Sequence, residues 1–439
     1  MKRIIDYLKF YAQETPSKVF ITEDGGKSLT YQSFWDRVNQ RAEEWRGELS
    51  SRQAYVLRAS QTIDYLVDYF ACHLLGKVIV PLEHDISEER FLQIQELVDE
   101  QLFPSDASDV LFTTGTTGMP KGVVLSHKAL LTDANNLAEG LGFSSDLTFI
   151  INGPLNHFGN HSKVLPVVRT GGSIFLMESM KNLDDFYRAI DATTGHVATF
   201  LVPASIRMLI QMSAKRLASY ASRIEFIESG AAPITQTDMM QLAELLPNSR
   251  LFNTYAGSEV GVVCTYNFND GNAYTACVGR TFPYSKVELR DSIVVCSGDG
   301  LMMGYLGQPL VETQPEVVTS DLGRMDDEGR LFLIGRQSDL INVGGLKVSP
   351  IEVEEVATEL IEGLRDCICI PQPHPIMGYV PKLLVVMNAG CTLDKRAIAK
   401  AMRSKLESYK VPVNIEEVDL VERTYNGKIN RKFYTFIEK

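Results

Sequence analysis

The sequence predicts an α/β fold: a large N-terminal domain of α/β subdomains plus a small β region, followed by a small α+β C-terminal domain. Three observations lead there. Stretches with helical apolar spacing alternate with short β-rich runs along most of the chain. A glycine-rich block of short strands follows, from about Val278 to Arg336. The tail then carries its own strands and helices over roughly a hundred residues, enough for a separate domain.

The elements follow in order. "MKRIIDYLKFYAQ" places Ile4, Ile5, Leu8 and Tyr11 on one helical stripe, with Asp6 and Lys9 off it, a pattern too polar for a signal peptide. "YLVDYFACHLLG" reads as a helix and "KVIVPL" as the strand after it. Val110–Phe112 and Val123–Leu125 are short apolar strands, followed by the helix "HKALLTDANNLAEGLG" and the strand "LTFIINGPL". "GGSIFLME", "VATFLVP" and "RIEFIES" are apolar throughout, as buried strands of a largely parallel sheet are, with helices such as "ASIRMLIQMSAKRLASYA" between them. In the tail, the helix "PIEVEEVATELIEG" precedes strands "CICIP" and "KLLVVMN", the helix "LDKRAIAKAMRSKLESY" and the strand "EEVDLVE". Cys367 and Cys369 alternate within "RDCICIP", so both face one side of a sheet and serve packing.

Composition narrows the function classes. At 439 residues and 45% hydrophobic content, the chain can bury a large core. Its 43 basic residues against 55 acidic give a formal charge of −12, which argues against a nucleic-acid coat and fits plain solubility. The seven cysteines are odd in number and scattered, fitting reduced thiols in a cytoplasm. No apolar run approaches the ~20 residues of a membrane span.

The chemistry concentrates in a few stretches. In "DVLFTTGTTGMPKGVVLSH", Gly115 and Gly118 can turn successive N–H groups inward, making a nest for anions. Thr113, Thr114, Thr116 and Thr117 add neutral donors, and Lys121 adds a compact cation. Such a loop suits a polyphosphate; a polar hairpin turn accounts for the same composition. It is not a Walker loop, because Pro120 stands where G-x-x-x-x-G-K requires glycine. "LFNTYAGSEVG" sets Tyr255, Ser258 and Glu259 just after a strand, where a ring could stack on a purine, a hydroxyl touch phosphate and a carboxylate hold Mg²⁺. "TSDLGRMDDEGRLFLIGR" puts Asp321 at a strand end before a turn, able to accept both hydroxyls of a ribose. "GRQSDLINVGGLKVSPIEVEE" offers Arg336 at the passage into the tail, then Gly344, Gly345 and Lys347. In "RTYNGKINRKFY", Asn426–Gly427 is a strong hairpin signal and carries Lys428 at or beside the tip. Taken singly, each also fits a plain role: core tyrosine, turn aspartate, solvated lysine.

In this order along one chain, the motifs resemble those of the acyl-adenylate-forming superfamily: acyl-CoA synthetases, peptide-synthetase adenylation domains and luciferases. "TTGTTGMPKG" is similar to its phosphate loop, "YAGSE" to its Y-G-x-T-E segment, "SDLGRMDDEGRLFLIGR" to its ribose and hinge region, and "NGKINRKFY" to its terminal lysine motif. "LTYQSFWDRVNQRA", "HLLGKVIVPLE", "ESGAAPI" and "LMMGYLGQP" fill the gaps, so the likeness spans nearly the whole length. It implies an N-terminal adenylation domain over 1–335, a hinge at 336–338 with Ser338 as pivot, and a lid domain over 339–439. Thr113 to Lys121 would hold the β/γ-phosphates, Gly230, Ala231 and Ala232 would run along the adenine, and Tyr255 would lie against its face. Ser258 would touch the α-phosphate, Glu259 would bind Mg²⁺, and Asp321 and Arg336 would hold the ribose. Lys428 would be the catalytic lysine of adenylation; Gly344, Gly345 and Lys347 would line the thiol tunnel.

The same resemblance implies the partners: ATP with Mg²⁺, a carboxylic acid, and CoA as acyl acceptor. His157, in "INGPLNHFGNHSK", matches the histidine beside the substrate carboxylate, with Ala256 and Gly257 also in the acid pocket. No aspartate matches the one that binds an amino-acid substrate's amine, so a plain carboxylic acid is expected. The alternatives are a stand-alone adenylating enzyme loading the phosphopantetheine of a carrier protein and a catalytically silent nucleotide-binding homologue. Against the family pattern, Ala256 stands where glycine is usual, Ser320 replaces the glycine of T-G-D, and Ser338 replaces the usual Asp or Lys. The stretch between "VPLEHDISEERFLQIQELVDEQ" and the threonine loop is also short for the family.

Overall fold

The computed structural model describes residues 1–113, 121–423, 431, 433 and 434. Among them, one sheet of thirteen strands forms the spine of the body, and a second sheet of five strands packs in the same body. The strands Leu147–Ile151, His196–Leu201, Ile224–Ser229 and Arg250–Gly257 run parallel side by side. Alternation along them feeds two separate cores. Phe149, Ile151, Ala198, Phe200 and Phe226 enter one; Ile150, Val197, Leu201 and Ile227 enter the other. Being buried on both faces, these strands are apolar at most positions, with Thr199, Glu228 and Asn253 among the buried polar exceptions.

Beyond Arg250–Gly257 the sheet passes into the expected small β region, which is antiparallel. Gly261–Asn267, Cys277–Thr281, Leu331–Arg336, Val317–Met325, Ile293–Gly298 and Ser285–Arg290 continue the same sheet as antiparallel pairs. Short turns join Arg250–Gly257 to Gly261–Asn267, Ser285–Arg290 to Ile293–Gly298 and Val317–Met325 to Leu331–Arg336, and short turns make antiparallel neighbours.

In the second sheet, Ala54–Arg58, Val78–Leu82 and Ala107–Thr113 are parallel, and Lys121–Ser126 returns antiparallel to the last of them. Register pairs Thr113 with Lys121, so the two ends of the hydroxyl-rich segment stand side by side.

The tail has its own core. It includes Val343, Val348, Val353, Cys367, Cys369 and Leu383, and contains no residue before Ile341. Cys367 and Cys369 share a face of the strand Leu364–His374, while Ile368 and Ile370 point into a smaller cluster opposite. Two tail elements differ from expectation. The second helix is only Lys395–Met402, its N-terminus capped by Asp394 accepting from the Arg396 and Ala397 N–H groups. The last strand is Asn414–Glu417 rather than "EEVDLVE", because pairing Ile415 opposite Leu383 is what buries Ile415. Body and tail meet through Arg207, whose guanidinium lies 2.8 Å from Asp238 and 3.4 Å from Asp366; Arg423 holds the same Asp366 at 2.7 Å.

Candidate active site

Between body and tail lies a cleft of about 2440 Å³, well beyond the ~300–1,000 Å³ of an ordinary small-molecule pocket. Thr113 and Lys121 border it at the end of the second sheet. The Lys121 ammonium sits 5.0 Å from the Tyr305 ring centroid, and the Tyr305 hydroxyl donates to Glu259 at 3.4 Å. A cation and a carboxylate therefore face one space from different sheets. Thr114, Gly115, Thr116, Thr117, Gly118 and Lys428 lie outside the described residues, as does the expected Asn426–Gly427 turn. Arg423 and Arg431, on either side of that last segment, both border the cleft.

Asp321 is held from two sides. The Tyr255 hydroxyl donates to one carboxylate oxygen at 2.7 Å and Arg336 Nε to the other at 3.2 Å. Burial, then the Asp321 carboxylate, raise the Tyr255 phenol far above its ordinary value, so it remains a donor. The sequence placed Asp321 at a strand end and Tyr255 after a strand; both positions need correction. Asp321 lies inside Val317–Met325 directly opposite Arg336, and Tyr255 lies inside Arg250–Gly257. The glycine and the charged residues around Asp321 look like turn composition, but a register irregularity at Leu322/Gly323 keeps the strand going.

Gly230, Ala231 and Ala232 border the cleft just past the strand Ile224–Ser229. A Cβ on Gly230 would stand 3.0 Å from the Thr254 carbonyl oxygen and 3.3 Å from the Phe200 ring, so a larger residue here would press on both. Ala231 takes φ +67°, a left-handed conformation costly for an L-residue and often found where function demands it. Ala256, Gly257, Ser258 and Glu259 follow along the turn into Gly261–Asn267, all lining the cleft. Among the described residues, no group of three or more His, Cys, Asp or Glu could hold a metal. Glu259 alone fits Mg²⁺ only in the way that ion binds nucleotides, through a single carboxylate with phosphate oxygens and waters completing the shell.

His157 precedes the helix Phe158–Thr170 and borders the cleft. Deeper on that helix, Lys163 pairs with Glu228 beneath the Phe200 ring. Neither residue of the pair was identified from sequence. The available signal was polar spacing at Asn152, Asn156, Asn160 and Lys163 in a stretch otherwise built for burial.

Under the cleft, Asp109 is 0% exposed and serves four donors: Tyr69 at 2.9 Å, His73 at 3.0 Å, Ser108 at 3.0 Å and His161 at 2.8 Å. Burial works to raise its carboxyl, yet the hydrogen bonds from His161 and His73 prevail and hold it well below the usual carboxylate range. Thr113 ends the strand that carries Asp109, and His161 is one helical turn from His157, so this network ties the Lys121 side of the cleft to the His157 side.

Ser338 sits in the short 3-10 turn Gln337–Asp339, its hydroxyl donating to Asp339 at 2.9 Å. Gly344, Gly345 and Lys347 belong to the hairpin Ile341–Val343/Leu346–Val348, with the two glycines at φ +58° and +97°. All three are exposed and none borders the cleft in this domain arrangement.

A large α/β body, a small α+β tail and a deep cleft between them define the adenylate-forming class of protein. Comparison with known families agrees: AMP-binding enzyme matches residues 96–306, and AMP-binding enzyme C-terminal domain matches residues 352–428. The chain belongs to the AMP-binding enzymes. It is 26% identical to a putative long chain fatty acid-CoA ligase of Staphylococcus epidermidis, the alignment covering 98% of each protein. It is 28% identical to a 3-[(3aS,4S,7aS)-7a-methyl-1,5-dioxo-octahydro-1H-inden-4-yl]propanoyl:CoA ligase of Mycobacterium tuberculosis, over 75% of this chain and 66% of that protein. A 4-coumarate–CoA ligase of Solanum tuberosum is 26% identical over 77% of this chain and likewise 66% of its own length. Against these two, the chain spans about two thirds of the relative. Among solved structures, ATP-bound MatB from Rhodopseudomonas palustris superposes with a TM-score of 0.86 at 20% identity, over 100% of both chains.

Proposed function

We propose that this protein activates a carboxylic acid with ATP, releasing pyrophosphate, and passes the acyl group from the resulting acyl-AMP to the thiol of CoA. The observation that carries the reading is Asp321, fixed between Tyr255 and Arg336 on the same cleft that Lys121, Glu259 and His157 border. The family membership and the CoA ligases among the relatives support it.

In the first half-reaction a carboxylate oxygen attacks the α-phosphorus, and the bond to the bridging oxygen of pyrophosphate breaks. Negative charge grows on the nonbridging and leaving oxygens, so fixed cations facing them lower the barrier. Asp321 accepts the ribose hydroxyls, with its carboxylate already oriented by Tyr255 and Arg336. Lys121 faces the β/γ-phosphates, and Lys428 supplies the second ammonium. Glu259 is the residue to hold Mg²⁺, which contributes charge neutralisation when bound. In the second half-reaction the CoA thiolate attacks the acyl carbon and AMP leaves. The hairpin with Gly344, Gly345 and Lys347 serves that step once the tail has turned about Ser338.

Acid-dependent ATP–pyrophosphate exchange, followed by thioester detection with CoA and with a holo-carrier protein offered separately, tests this reading. Lys428→Ala should slow adenylate formation by ~10²–10³-fold with the fold intact. Adenylate synthesis at the wild-type rate in that variant, or no exchange with any acid, would refute the assignment.

A further inference from the structure

The acid side of the cleft holds a polar cluster that the adenylation chemistry leaves unused. Lys163 is 2% exposed and Glu228 0%. The Lys163 ammonium lies 2.8 Å from both carboxylate oxygens and 5.1 Å from the Phe200 ring centroid. Asn160, 9% exposed, has an Oδ1 without a hydrogen-bond partner among the described residues. Its amide sits so close to Gly153 that a Cβ there would stand 2.4 Å from Asn160 Nδ2, which ties this placement to a glycine. Lys163, Glu228, Asn160 and Phe200 all border the cleft, together with His157. Among the described residues the Lys163 ammonium donates to Glu228 alone, so part of its three-donor capacity is unspent, as are lone pairs on Glu228.

Charge and hydrogen-bonding capacity together limit what can lie there. An alkyl chain would seal these groups from water and return no hydrogen bond, a mismatch that polar sites reject strongly. A second carboxylate would meet a lysine already neutralised by Glu228. An ammonium finds Glu228 already paired. A hydroxyl fits, because its O–H can donate to Glu228 or to Asn160 Oδ1 while its lone pair accepts from Lys163.

We propose that Lys163, Glu228 and Asn160 form a specificity subsite for a neutral hydroxyl carried by the acid at the end away from its carboxylate. This deepens the ligase reading and rests on it.

The test is pyrophosphate release measured as kcat/KM on matched acids of equal length: each hydroxylated acid, its deoxy analogue and the corresponding dicarboxylic acid. The wild type should favour a hydroxylated acid by ~10²-fold or more over its deoxy partner, with the dicarboxylic acid behind. The double variant Lys163→Met/Glu228→Met, which removes both charges at similar volume, should shrink that preference to within about tenfold while KM for ATP stays put. Asn160→Leu supplies a second variant with the ion pair intact, and it too should erode the preference. Wild-type turnover of deoxy or dicarboxylic acids equal to that of the hydroxylated ones overturns the proposal, whichever variants fold. So does an unchanged preference in a folded double variant. Pyrophosphate release without hydroxyl preference defeats the subsite alone, whereas no release with any acid defeats the ligase reading and the subsite with it.

Discussion

Asp109→Asn removes one charge from a fully buried site. The carboxylate now accepts from Tyr69, His73, Ser108 and His161 at 2.8–3.0 Å. An amide keeps one accepting oxygen and turns its NH₂ toward the remaining donors, leaving buried donors unpaired. Disrupting a buried carboxylate that four donors serve costs ~3–5 kcal/mol, since several donors are left unpaired at ~1–3 kcal/mol each. With an unfolding entropy of ~2.1 cal/mol/K per residue, a body of about 335 residues gains ~0.7 kcal/mol for each kelvin, so the melting temperature should fall by ~4–7 °C. The pH dependence has a definite sign. Because the Asp109 carboxyl is depressed in the folded protein, its contribution is full above the ordinary carboxylate range and fades as pH drops through that range. Thermal melts of both proteins should therefore be farthest apart near pH 7 and converge below pH ~4. Coincident melts at pH 7, or a gap that widens on acidification, would refute the reading of Asp109 as a buried, ionised acceptor. Since it joins the strand ending at Thr113 to the helix behind His157, KM for ATP and for the acid should rise together.

Two further outcomes follow from buried or bridging charge. Burial pushes the Asp133 carboxyl up to about 7, against the Val262 N–H and Lys163, so the folded state holds its proton more tightly than the unfolded chain. Stability is then lost between about pH 4 and pH 7, and Asp133→Asn, which can still accept from the Val262 N–H, should raise the melting temperature at pH 8 and leave it unchanged at pH 4; equal shifts at both would contradict this. Arg207→Ala removes the body's guanidinium from Asp366 in the tail and should loosen the two parts by about 1 kcal/mol, seen as roughly fivefold faster proteolysis at 336–338. Unaltered cleavage would show that the contact does not hold this arrangement.

Much of the fold was written in local pattern. Apolar runs such as "VATFLVP" became strands buried on both faces, and the alternation of Cys367 and Cys369 put both on one side, because periodicity and burial are local consequences of side-chain type. Failures came where pairing decided. Asp321 looked like a turn residue until Arg336 was seen opposite it, and the last strand shifted to Asn414–Glu417 to bury Ile415.

The sequence by itself determined the residue types and their order: a hydroxyl-rich segment closed by Lys121, then His157, Tyr255, Glu259, Asp321, Arg336 and Lys428. These declare an adenylate-forming chain because motif chemistry needs no knowledge of distance. Only the tertiary structure decided that Lys163 meets Glu228, that Asp109 gathers two histidines and a tyrosine, and that Arg207 reaches across to Asp366. The partners in each case are 36 to 159 positions apart in the chain, and no local periodicity encodes which distant charges share a low-dielectric interior. That pairing is set by sheet order, and sheet order is a property of the whole chain.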